Sequence, residues 1–118
     1  MNLLENIMPS ATFTGVSGKN YTYLLVSDDI LLSLQAGNFI FASGDAAHPV
    51  PVFIGAVESV RNDIKAHTVS GLWDIAKDVY GATLLYLHVE DPNTYQGTRL
   101  YEQADLIEAY RPPMNVPG

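Results

Sequence analysis

Cysteine is absent from this 118-residue chain. That excludes disulfides, thiolate metal sites and a cysteine nucleophile. It also fits a cytoplasmic protein, which is the expected location, since reducing compartments do not maintain disulfides. Basic side chains are scarce: six Lys and Arg stand against thirteen Asp and Glu, giving a net charge of −7. Lys19, Arg61, Lys65, Lys77, Arg99 and Arg111 are scattered along the chain. Only Arg61 and Lys65 lie one helical turn apart. Nucleic-acid binders draw most of their affinity from a Lys/Arg face that neutralises phosphates. The charge balance therefore opposes tight DNA binding and leaves room only for weak nucleic-acid contact through a local patch. No run approaches the ~20 apolar residues of a membrane span. Tyr21–Val26 is followed at once by Ser27-Asp28-Asp29. The chain does not begin with a basic segment followed by an apolar run, so neither a signal peptide nor a membrane partner is expected.

What is present suits one globular domain. Hydrophobic residues make up 47% of the chain, and a domain of this size buries roughly two-thirds of its unfolded surface. Met1–Pro9 reads as a lead-in, and residues 10–118 as the domain. Ala11–Gly15 and Tyr21–Val26 flank Ser17-Gly18-Lys19-Asn20, which predicts a β-hairpin. Ile30–Gln35 is too short for periodicity to separate helix from strand. Gly37–Ile64 is the stretch around which the chain is organised: a strand at Asn38–Ala42, a Gly/Asp/Pro connection, a strand at Val50–Gly55, then a helix. Pro49 and Pro51 donate no ladder hydrogen bond, so the entry to this second strand is expected at an edge or outside the sheet. Past Gly55 the period becomes helical, with Val57, Val60, Ile64 and His67 on one face. Ser70 is the expected N-cap of a second helix, Leu72–Tyr80, with Leu72, Ile75, Ala76 and Val79 inward and Gly81 just past its C-cap. Ala82–Val89 reads as a central strand buried on both faces. A last helix from about Thr98 to Tyr110 places Leu100, Ala104, Ile107 and Tyr110 inward, and Pro112-Pro113 ends it.

The order strand, strand ending in aromatic-Ile-Gly, helix, helix, strand, helix, then Arg-Pro-Pro-Met-Asn resembles the GIY-YIG nuclease superfamily. Gly37-Asn38-Phe39 stands at its first motif and Phe53-Ile54-Gly55 at its second. Gly81-Ala82-Thr83, Leu106-Ile107 and Arg111–Asn115 extend the match, which covers about residues 37–115. The resemblance implies an α+β fold, a small mixed central sheet flanked by about three helices, here with an extra N-terminal β-hairpin. It also implies metal-assisted phosphodiester hydrolysis by a Tyr that activates water, an Arg that steadies the phosphate charge and a Glu that holds one divalent metal.

At those positions this chain carries other residues. Phe39 and Phe53 replace the motif tyrosines and have no hydroxyl. The Arg position falls on Asp63. Arg61 is about 200° away around the helix, on the opposite flank of the apolar stripe. The Glu position falls on Gln103, a poor partner for a divalent metal. Glu102 is one residue earlier and is expected to point to solvent. The expectation is a degenerate active site with no cofactor, in a binding or interaction module. One alternative is an active Mg²⁺- or Mn²⁺-dependent endonuclease using Arg61, Glu102 and a displaced hydroxyl from Tyr21, Tyr23, Tyr86, Tyr95 or Tyr101, with His67 as a further substitute. The other is an acidic protein-interaction domain that regulates a nucleic-acid enzyme through exposed aromatics such as Tyr95 or Tyr101.

Other polar residues have plainer readings. Arg61 pairs with Glu58 on a solvated helix face. His67 caps or fills an apolar stripe, His88 is a buried, hydrogen-bonded strand residue, and His48 is exposed. The three lack the paired spacing of a metal site. Asp28-Asp29 and Glu90-Asp91 suit turns. Ser17-Gly18-Lys19 lacks the preceding glycine and following helix of a phosphate loop. Asn115 is expected to tie the C-terminal segment to the domain.

Overall fold

The N-terminal hairpin forms where the sequence places it. β1 (Ser10–Thr14) pairs antiparallel with β2 (Asn20–Val26). Gly18 supplies the left-handed backbone of the connection, at φ 87°. In this computed structural model, residues 9–27, 37–57, 63–89 and 96–116 are described. Beyond the hairpin come β3 (Gly37–Asp45), β4 (His48–Val57), α1 (Asp63–Tyr80), β5 (Leu84–Val89) and α2 (Gln96–Tyr110). The chain is thus α+β, with two helices among the described residues rather than about three. Ile30–Gln35, Arg61 and its expected partner Glu58, Asp28-Asp29, Glu90-Asp91 and Tyr95 lie outside the described residues.

The five strands form one sheet in the order β1-β2-β5-β3-β4. Every neighbouring pair is antiparallel, which corrects the expected mixed sheet. β2 and β3 point the same way, as do β4 and β5. In each case another strand lies between them, so no parallel ladder forms. β5 is central, as its apolar run predicts. The helices cover opposite faces. Leu85 and Leu87 of β5 join Phe39, Phe41, Val52, Trp73 and Ala76 in a core beneath α1. Tyr86 joins Phe13, Tyr23, Ile40, Ile54 and Leu106 in a second core beneath α2.

Three local expectations are corrected. The Gly/Asp/Pro connection is a tight hairpin: Asp45 pairs with His48, and the Asp45 Oδ1 accepts from the backbone N–H of Ala47 at 2.9 Å and of His48 at 2.8 Å. Pro49 and Pro51 therefore lie within β4, tolerated because β4 is an edge strand. α1 is one continuous helix, so Ser70 is interior and not an N-cap. Its buried side is Val69, Trp73 and Ala76, whereas Ile75 and Val79 are exposed. The large indole of Trp73 sets which side faces the sheet, packing 4.9 Å from the Phe41 ring. Gly81 ends α1 as expected, at φ 70° with its N–H on the Lys77 carbonyl. Arg111 closes α2 in the same conformation at φ 46°, where glycine is usual.

The outer edge of β4 is closed by the C-terminal segment. A bulge at Phe41/Ala42 leaves Val52 out of register, and the Val52 carbonyl accepts from the Met114 N–H at 3.1 Å. The Asn115 side chain acts as a backbone surrogate: its Oδ1 accepts from the Ile54 N–H at 2.7 Å and its Nδ2 donates to the Ile54 carbonyl at 2.9 Å. The tethering role expected for Asn115 is present. No helix among the described residues is long and apolar enough to cross a membrane.

The Phe39 ring lies on the backbone of Gly55, where any Cβ would fall inside the ring. Gly55→Ala is therefore expected to destabilise the fold by about 1–3 kcal/mol. Urea unfolding followed by Trp73 fluorescence checks this, and an unchanged midpoint would contradict the contact.

Candidate functional site

Phe39 is a core residue, and Phe53 is partly buried against the same cluster. Phe39 is buried, and its ring centroid lies 5.1 Å from Phe41 and 5.8 Å from Phe53, all on the α1 side of the sheet. Asp63 is the first residue of α1 and His67 lies one turn further on. Gln103 reaches the edge of β4, where its Nε2 donates to the Ile54 carbonyl at 3.1 Å, the same oxygen that Asn115 holds. A carboxylate in that place would have no proton to give. Gln103 is thus a structural donor.

Glu102 corrects the sequence reading: it is buried, not solvent-facing. Its orientation follows from that of α2. Arg99, Glu102, Asp105 and Leu106 face the sheet, while Leu100 and Ala104 face out. Tyr110 is also exposed in part, though its hydroxyl still accepts from the Thr14 N–H at 3.0 Å. Polar partners on the strands set this rotation. The Tyr23 hydroxyl donates to Glu102 Oε2. The His88 Nδ1 lies 2.9 Å and 3.1 Å from the two Glu102 oxygens. One turn on, Asp105 accepts from the Tyr21 hydroxyl at 2.8 Å, the Ser17 hydroxyl at 2.7 Å and the Ser17 N–H at 2.9 Å. Next to this row, Asn38 donates to the Arg99 carbonyl at 2.9 Å, and its own Oδ1 has no partner among the described residues. His88 thus has the hydrogen-bonded strand role expected of it.

Above Glu102 an open cleft of about 290 Å³ is lined by Lys19, Tyr21, His88, Thr98 and Tyr101, among others. The sequence reading named each of the tyrosines but did not bring Tyr21 and Tyr23 to the carboxylates. The sheet lies between this cleft and the Phe39–Phe53 pair, because Phe39 and Phe53 are on the α1 side and Glu102 is under α2. Among the described residues no three or more His, Asp or Glu side chains are grouped to hold a metal. Comparison with family models, curated proteins and solved structures finds no match for the chain.

The Asp105 carboxyl is held below the usual carboxylate range. The Ser17 hydroxyl is the main cause, helped by the Ser17 N–H, Tyr21 and the Lys19 charge, and burial opposes the shift. Burial first, then the bond to Asp105 and the Asp105 and Glu102 charges, push the Tyr21 phenol upward. Burial, with the Asp45 charge, also raises Tyr86. A lowered Asp contributes stability that is complete above its unfolded value of about 4 and is lost as pH falls through the native value. A raised Tyr contributes stability that is complete below about pH 10 and is lost above it. Urea midpoints measured across pH should therefore fall at both ends. Asp105→Asn should flatten the acid arm. Tyr21→Phe should shrink the alkaline arm without removing it, since Tyr86 acts there too. Unchanged arms would contradict these bonds.

Proposed function

We propose that this chain is a GIY-YIG-like scaffold without nuclease activity, serving as a binding or interaction module. The order β3, β4, α1, β5, α2 supports the scaffold reading, with one long helix where two were expected. One observation carries the functional half: the sheet separates the two motif phenylalanines from Glu102, so these positions do not line one cleft. Phe39 is spent on packing against Gly55, and Gln103 on capping the Ile54 carbonyl. The Phe39 and Phe53 rings have no oxygen to activate water, and Gln103 offers only a neutral amide oxygen, a poorer metal ligand than a carboxylate. The surplus of acidic side chains supports a protein partner over a nucleic acid.

The relocated-nuclease alternative draws on the meeting of a tyrosine hydroxyl, Tyr23, with Glu102 beneath an open cleft. Both groups, however, are already bonded to each other, and Glu102 is also bonded to His88. Incubation of the purified protein with supercoiled, linear and branched DNA, with Mg²⁺ or Mn²⁺, separates the two readings. No cleavage above the metal-only control is expected. Robust cleavage that Glu102→Ala or Arg61→Ala abolishes would overturn the proposal.

A further inference from the structure

The cleft above Glu102 has a wall that already holds a cation. The Lys19 Nζ lies 5.6 Å from the centre of the Tyr21 ring, a distance at which a ring face attracts positive charge. The Tyr21 hydroxyl is bonded to Asp105, and Glu102, 3% exposed, shares the lining of the cleft with it. Burial is the first cause of the raised Tyr21 phenol, and the Asp105 and Glu102 charges push it the same way. The ring thus stands in a negative field despite Lys19. Tyr101 adds a second phenol to the lining and is 56% exposed. The volume of about 290 Å³ lies just below the roughly 300 Å³ at which pockets for drug-sized ligands begin, so the cleft suits a single side chain.

We infer that this cleft takes the guanidinium of an arginine side chain from a partner protein. The inference rests on the reading of the chain as an interaction module and names the group it recognises. Charge sets the sign of the ligand. The field at Tyr21 is negative, and the net −7 of the chain steers cations towards it. An anion would meet Lys19 but would have both buried carboxylates against it. The state of Glu102 sets the kind of cation. Its Oε2 accepts from the Tyr23 hydroxyl, and the His88 Nδ1 is within 2.9 Å and 3.1 Å of its two oxygens. The carboxylate therefore acts on a ligand through its charge rather than through a new bidentate contact. An ammonium is compact and strongly hydrated, whereas a guanidinium is weakly hydrated and stacks flat on an aromatic ring. Tyr101 supplies that ring. Lys19, already over Tyr21, is a competing charge.

Nα-acetyl-arginine amide carries the side chain without terminal charges and serves as the probe. In nitrogen–proton correlation spectra of the full chain it should shift the Thr22, His88 and Thr98 amide signals saturably, with a Kd on the order of 1 mM. Nα-acetyl-lysine amide should bind more weakly, and neutral Nα-acetyl-glutamine amide should leave those signals in place. Tyr101→Ala, at an exposed helix position, should weaken the arginine probe about two- to fivefold with an unchanged far-ultraviolet circular dichroism spectrum. Lys19→Gln, which removes the competing charge, should tighten it. Absence of a saturable shift with the arginine probe, an equal shift with the glutamine probe, or no effect of Tyr101→Ala would overturn the site. Equal binding of the lysine probe would overturn the choice of guanidinium. The DNA assay is read separately. A chain that binds no probe and does not cut DNA loses the cleft assignment but keeps the module reading; one that binds the arginine probe and cuts DNA keeps the cleft assignment but loses the module reading.

Discussion

Two tyrosine hydroxyls on β2 hold α2 in place, and much of the molecule follows from them. Tyr21 and Tyr23 alternate along the strand and therefore point to the same face of the sheet. On α2, Glu102 and Asp105 are three residues apart and share a side of the helix. Each hydroxyl meets one carboxylate. Buried carboxylates are costly without donors, so once both are under the helix the Ser17 turn and His88 must supply the remaining bonds. The rotation of α2 about its axis is then fixed, and with it Gln103 on the β4 edge and Leu100 and Tyr101 in solvent.

The same constraint bears on function. A nuclease of the type the motifs suggest needs its hydroxyl, its carboxylate and its cation to converge on one phosphate. Here the sheet stands between the motif rings and the buried Glu102. The carboxylate one position away from the expected one is drawn into a structural network with Tyr23 and His88. What this architecture leaves outside is Leu100 and Tyr101 of α2.

Much of the fold was legible in the sequence. Gly/Asn turns, alternating β-branched and aromatic residues and the apolar run of Leu84–Val89 placed the hairpin and the central strand. Gly81 and Pro112 placed two helix ends. The prolines of β4 pointed to an edge or to a place outside the sheet, and Asn115 to a tether. The helix faces were less legible. The apolar-stripe rule put Leu100 and Ala104 inward on α2 and left Glu102 to solvent. It failed because polar residues on β2 and β5 outweighed the apolar stripe. On α1 the same rule missed Trp73, whose bulk selects a different side. The signal for α2 was present in the pattern: two tyrosines two apart on a strand and two acids three apart on a helix are matched donors and acceptors. A single helix considered alone cannot reveal its partner strand. Phe39 and Phe53 were legible as rings without a hydroxyl, but not as residues packed on the α1 side of the sheet, away from Glu102.

The bond from Tyr23 to Glu102 is the point at which this account is most exposed, and a double-mutant cycle measures it. Tyr23→Phe, Glu102→Leu and the double variant, unfolded in urea at neutral pH, give the coupling between the two side chains. A buried bond to a carboxylate that orients α2 predicts a coupling of about 1.5–3 kcal/mol. Additive single effects, with a coupling near zero, would mean that Glu102 does not face Tyr23. The orientation of α2, and the exposure of Leu100 and Tyr101 that follows from it, would then have to be abandoned.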